Sequence, residues 1–230
     1  MKKRVLFCVC GVFLALILVL TGCPTEAGDE GPPSGNIGEK TLSLKGKVYT
    51  GLASVYTEAG VAYDGKVESK NNLGGEGVIK DGTLNFSIAP LTDASKLTGT
   101  LDDVTFKGFS SVLGVSVGSL YDGITVTPAD AKYTILELDP PKGVSLKHEN
   151  MSTSTTSVKT ELSTYIYLSK EVKITGTKKS VTVPSTLQSS DIKITLKKGW
   201  NIIYQKYEQK SSGGSCSLKV EKHSLKWVVN

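Results

Sequence analysis

The sequence predicts an all-β domain, mainly antiparallel and sandwich- or barrel-like, on three observations. Apolar and polar residues alternate with period two along nearly the whole chain beyond residue 40. Turn residues punctuate those runs at short intervals. No segment sustains an apolar stripe at helical spacing.

The strand signals follow in order. Leu42, Leu44 and Val48 alternate with Ser43, Lys45 and Lys47, and Leu84, Phe86 and Ile88 alternate with Asn85 and Ser87. Leu113, Val115 and Val117 come next, then Ile124 and Val126, then Leu162, Thr164, Ile166 and Leu168. Val172 and Ile174 open another run, followed by Ile192, Ile194 and Leu196. Trp200, Ile202 and Tyr204 alternate with Asn201, Ile203 and Gln205, and Leu225, Trp227 and Val229 close the chain. Asp64-Gly65, Asp81-Gly82 and Asp122-Gly123 suit the positive φ angles of type I′ hairpins. Lys197-Lys198-Gly199 turns one strong strand into the next. Thr92 to Leu97 has room for one helical turn, with Thr92 or Asp93 as its N-cap.

Residues 41–230 read as one β-sandwich-like domain with a possible seam near 140–160. There Pro140-Pro141 stops a strand and Ser152 to Ser157 is an unbroken hydroxyl run. A long loop within one domain is the expectation. The echoes Val48-Tyr49-Thr50 and Val55-Tyr56-Thr57 are too short to establish repeats.

The first 40 residues differ in kind. Lys2, Lys3 and Arg4 precede an apolar run from Val5 to Leu20. Sixteen helical residues span roughly 24 Å, short of the ~30 Å hydrocarbon core, whereas an export signal needs only ~7–15 apolar residues. Residues 1–22 therefore read as a signal peptide. From Pro24 to Lys40, four glycines, three prolines and four acids accompany one large apolar residue, Ile37. Such a stretch buries too little surface to offset its ordering entropy, so 23–40 reads as a flexible tether.

Leu20-Thr21-Gly22-Cys23 resembles the lipobox of bacterial lipoproteins. The resemblance implies cleavage between Gly22 and Cys23 and diacylglycerol on the Cys23 sulfur, with the membrane as partner. Two or three acyl chains, at ~0.8 kcal/mol per buried methylene, suffice for stable anchoring. Pro24, where Asp favours inner-membrane retention in enteric-type bacteria, implies a cell-envelope location at the outer membrane. Tyr165 to Gly176 and Leu196 to Tyr204 loosely resemble uncharacterised spirochaete-type lipoproteins, which implies no activity.

Removing Lys2, Lys3 and Arg4 from the 27 basic residues leaves 24 against 22 acidic ones. A net charge of +2 with no basic cluster argues against nucleic-acid binding. Of four cysteines, Cys8 and Cys10 leave with the signal and Cys23 takes lipid. Cys216 remains alone as a buried thiol, with no internal disulfide available. No catalytic, cofactor or metal motif is evident. His148 and His223 read as surface residues without a nucleophile elbow. Ser190-Asp191-Ile192-Lys193 has S-x-x-K spacing but sits on strand alternation, and Gly74 to Gly77 lacks the ending of a phosphate loop. Two histidines and one thiol give no zinc set.

The expectation is a non-enzymatic domain with a structural or binding role. Tyr49, Tyr165 and Tyr167 fall opposite the proposed core face, where exposed rings suit a protein or glycan partner, or another small ligand. A hydrolase assembled from distant residues is the lesser alternative.

Overall fold

The computed structural model describes residues 34–52, 55–109, 111–112, 115–116, 121–143, 145–178, 180–183, 185–189 and 191–229. The signal, Gly22 and Cys23 lie outside them. Pro33–Asn230 is one compact unit.

The strands are β1 (Asn36–Gly38), β2 (Leu42–Leu52), β3 (Val55–Glu58), β4 (Gly65–Ser69), β5 (Glu76–Lys80), β6 (Thr83–Ile88) and β7 (Gly99–Leu101). The helix α1 (Asp103–Phe109) is followed by the short pair β8 (Ser111–Val112) and β9 (Val115–Ser116). Then come β10 (Tyr121–Thr127), β11 (Ala131–Ile135), β12 (Leu138–Asp139), β13 (Leu146–Thr153), β14 (Ser157–Leu168) and β15 (Val172–Lys178). β16 (Ser180–Val183), β17 (Ser185–Ser189), β18 (Ile192–Leu196), β19 (Gly199–Lys210), β20 (Gly213–Lys219) and β21 (Lys226–Val229) complete the chain. The all-β, mainly antiparallel fold read from the sequence is the one observed.

One large sheet runs in the order β12-β4-β5-β6-β2-β21-β13-β14-β19-β20-β17-β16. Leu138 of β12 also pairs with Leu146 of β13, so seven strands close a hydrogen-bonded ring. The ring encloses Leu42, Leu44, Val48, Val67, Ile79, Leu84, Phe86, Trp227 and Val229. Beyond β13 the sheet continues as β14 and β19, whose Tyr165, Tyr167, Trp200 and Ile202 join that same core. Their other faces carry Ile166, Leu168, Ile203 and Tyr207 into a second core. A three-stranded sheet, β10-β15-β18, covers it with Ile124, Val126, Val172, Ile174 and Leu196.

β14 and β19 are therefore a wall between two cores, each paired to the other over twelve residues. Every residue from Gly199 to Gln205 is buried. This overturns the expectation that Tyr165 and Tyr167 are exposed. They are 6% and 3% accessible, because both faces of β14 are covered and alternation there separates two cores instead of core from solvent.

Four local readings change. The tether ends earlier than residue 40: Ser34 bridges Glu221, Gly35 N–H donates to the Val220 carbonyl at 3.1 Å, and β1 pairs with β19. Ile37, the one large apolar residue of that stretch, packs on the ring core. Gly199 has φ +94°, and a Cβ there would lie 2.2 Å from the Gly38 carbonyl, so only glycine lets β1 dock so closely.

The hydroxyl run in the possible seam near 140–160, expected as a long loop, is the turn of a hairpin. Thr153 pairs with Val158, and the Ser154 hydroxyl accepts from the Ser157 N–H at 3.0 Å, so the hydroxyl run builds a turn. Of the three Asp-Gly pairs, Asp81-Gly82 alone is a two-residue hairpin, with φ +50° and +65°. Asp122-Gly123 lies at a register shift within β10, and the Asp64 carboxylate accepts from the N–H groups of Asp81 and Gly82 at 2.9 and 3.2 Å. Lys197 to Gly199 joins β18 to β19 across sheets instead of turning a hairpin.

Two other expectations hold. Asp93 caps a turn at Ala94–Lys96, accepting from the Ser95 N–H at 2.9 Å. Cys216 is buried, and burial pushes its thiol up to about 11. Among the described residues no helix is long and apolar enough to cross a membrane.

Candidate functional site

A concavity built into the sheet lies where three strands part. β11 pairs with β14 as far as Ile135 opposite Ile166, and Leu136 N–H donates to the Tyr165 carbonyl at 2.9 Å. The chain then leaves β14: Glu137 accepts from Lys70 N–H, and Leu138 pairs with Ser69 and Leu146. β13 takes up pairing with β14 only at His148 opposite Ser163. The unpaired interval opens a fissure of about 750 Å³.

Its walls are Leu136, Leu138 and Leu146, with Tyr165, Trp227 and His148 as an aromatic side. The three rings stack. His148 and Trp227 centroids are 4.4 Å apart at 19°, and Tyr165 and Trp227 are 5.8 Å apart at 14°. Register explains the cluster, since Trp227, His148 and Ser163 stand directly opposite one another on adjacent strands and share a face. The mouth carries Lys70, Glu137, Lys147 and Glu149, two charges of each sign.

His148 is 8% accessible, which corrects its reading as a surface residue. Leu146 points inward on β13, and two residues on in a strand is the same side, so His148 follows it into the core. Its Nε2 lies 3.2 Å from the Leu225 carbonyl and its Nδ1 lies 2.8 Å from the Tyr165 hydroxyl. A carbonyl only accepts, so Nε2 carries the proton and Tyr165 donates to Nδ1. Burial, reinforced by nearby Lys222, lowers the imidazole to about 4, against the Leu225 hydrogen bond that raises it. The ring is neutral near pH 7. Burial also raises the Glu149 carboxyl and lifts the Tyr165 phenol above its ordinary range.

Ser163 faces the same space. It is a lining residue and its buried hydroxyl has no hydrogen-bond partner; Thr160, also a lining residue, has a buried hydroxyl without one as well. The Ser163 hydroxyl is therefore not bonded to His148, whose two nitrogens are already engaged.

The remaining sequence candidates lie elsewhere. Tyr167 donates its hydroxyl to the Leu91 carbonyl at 3.1 Å and packs edge-on against Trp200, away from the fissure. Tyr49 is half-buried on the opposite face of β2 from Val48. Lys226 Nζ stands 5.6 Å from the Tyr49 ring centre and 5.2 Å from that of Tyr56. His223 is not a lining residue; it stacks on Tyr204 at 3.6 Å and its Nε2 is 2.6 Å from Glu221 Oε1. Among the described residues no Tyr or Trp is fully exposed.

A second concavity, about 930 Å³, is a wide polar trough bordered by Lys45, Lys66, Glu68, Glu76 and Asn85. Buried Phe86 is its one aromatic lining residue. Among the described residues no group of His, Cys, Asp and Glu is arranged to hold a metal ion.

Fold and site thus define a class: an antiparallel β-domain with two cores sharing one wall and an aromatic fissure between diverging strands. No family model, curated protein or solved structure matches the chain.

Proposed function

We propose that this chain is a lipid-anchored protein of the bacterial cell envelope, held at the outer membrane through Cys23, whose β-domain binds a partner without catalysing a reaction. The observation that carries the binding reading is the fissure, where an aromatic and aliphatic lining meets two unpartnered hydroxyls, of Ser163 and Thr160, and a histidine with both nitrogens occupied. The lipobox-like Leu20 to Cys23 supports the anchor. Residues 24–33 lie between Cys23 and Ser34, the first described residue, and ten residues reach at most about 36 Å. The domain on this reading works close to the membrane.

Growth with an alkyne-tagged palmitate tests the anchor. The wild-type chain is expected to take label and sediment with membranes, and Cys23→Ser to lose both; label retained in the variant rejects it. Turnover of chromogenic aryl esters tests the second part. Hydrolysis by the full-length protein that disappears in His148→Ala would replace the binding reading with an enzymatic one.

A further inference from the structure

We infer that the fissure between β11–β12, β13 and β14 takes a small, neutral aromatic molecule bearing one hydroxyl or carbonyl group, which bonds to Ser163 Oγ. The inference rests on the binding reading above and names the ligand chemistry of that site.

Three features fix the class. The lining supplies flat apolar contact from Trp227 and Tyr165 and aliphatic contact from Leu136, Leu138 and Leu146. Such surfaces favour a planar ring stacked or edge-on over a flexible chain. Two lining residues have buried hydroxyls without a partner, Thr160 and Ser163; Ser163 is the one on the face of His148 and Trp227, and Thr160, three residues away on β14, lies on the other face. A buried hydroxyl without a partner forfeits a hydrogen bond, and a ligand atom that supplies one recovers it. The adjacent polar atoms are not available: His148 and Tyr165 bond each other, and His148 also holds Leu225. Charge argues for neutrality. Lys70 and Lys147 at the mouth are matched by Glu137 and Glu149, and Lys70 Nζ is 3.7 Å from Glu137 Oε2. An ion inside would be desolvated with no counter-charge beside it.

The test uses the full-length lipidated protein in nanodiscs, with empty nanodiscs as reference, titrated with p-cresol and with toluene. The pair differs by one hydroxyl. Tryptophan emission reports binding, and Trp227→Phe checks which indole responds. Saturable binding of p-cresol is expected, weaker by about five- to tenfold in Ser163→Ala, as fits the loss of one hydrogen bond. Toluene is expected to bind wild type and Ser163→Ala equally. Leu138→Trp, which fills the fissure, is expected to abolish both signals. Absence of saturable binding overturns the inference, as does p-cresol affinity indifferent to Ser163→Ala. Should Leu138→Trp fail to fold, the p-cresol and toluene comparison on Ser163→Ala decides alone. Palmitate labelling and ester turnover are separate readouts, so failure here is distinguishable from failure of the anchor or of the non-catalytic reading.

Discussion

His148 illustrates how one buried ring couples stability to pH. Its folded-state value of about 4 lies below the ordinary 6.5, so the unfolded chain binds the proton more tightly. The contribution is fully present above pH 6.5 and is lost as pH falls from 6.5 toward 4. A gap of that size corresponds to about 3 kcal/mol. Urea unfolding across this interval is expected to show the loss, and His148→Leu to flatten the slope. The same variant is expected to cost about 2–4 kcal/mol at pH 7.5, because it orphans the Tyr165 hydroxyl and the Leu225 carbonyl. An unchanged slope would mean that other groups govern the acid limb; Glu149 is not one of them, because burial raises its carboxyl and acidification there favours the folded state. Ser163→Ala is the opposite case. It removes a buried hydroxyl with no partner, so its melting temperature is expected to equal or exceed that of wild type.

Among the elements, the β5–β6 hairpin shows how a short signal is completed by distant residues. Asp81-Gly82 announces a type I′ turn in the sequence, and the turn forms as read. The sequence reads Asp64 as part of a turn of its own, and only the fold brings its carboxylate, seventeen residues upstream of Asp81, to accept from both turn N–H groups. Asp64→Ala is expected to cost about 1–2 kcal/mol by urea midpoint. Gly82→Val is expected to cost about 1–3 kcal/mol, since φ +65° disfavours a side chain. A Cβ there would also lie 2.9 Å from the Gly60 carbonyl oxygen. β14 makes the complementary point. Its alternation was legible residue by residue, but alternation marks two faces without saying what lies over either one.

At the scale of the whole molecule, the shared wall predicts cooperative unfolding. Ile166 and Leu168 serve one core while Tyr165 and Tyr167 of the same strand serve the other, so neither core survives loss of β14. A single calorimetric transition is expected, and two resolved transitions would show that the cores melt separately. Ile166→Ala, which opens a void at a fully buried position, is expected to lower that one transition by about 2–5 kcal/mol of stability. With no internal disulfide available to the mature chain on the lipobox reading, burial in these two cores carries the fold.

The sequence by itself determined the all-β class, a capped turn within Thr92 to Leu97, the Asp81-Gly82 hairpin and the buried Cys216. These depend on near neighbours, and local backbone preference or period-two patterning is written in adjacent residues. Tertiary structure alone decided that Ser34 already belongs to the domain, that Tyr165 and Tyr167 are interior, and that His148, Trp227 and Ser163 meet. Each of those outcomes depends on which strand lies beside or above another. That choice is made by long-range pairing and by which core covers a face, and a strand's own alternation is the same whether water or a second core lies over it.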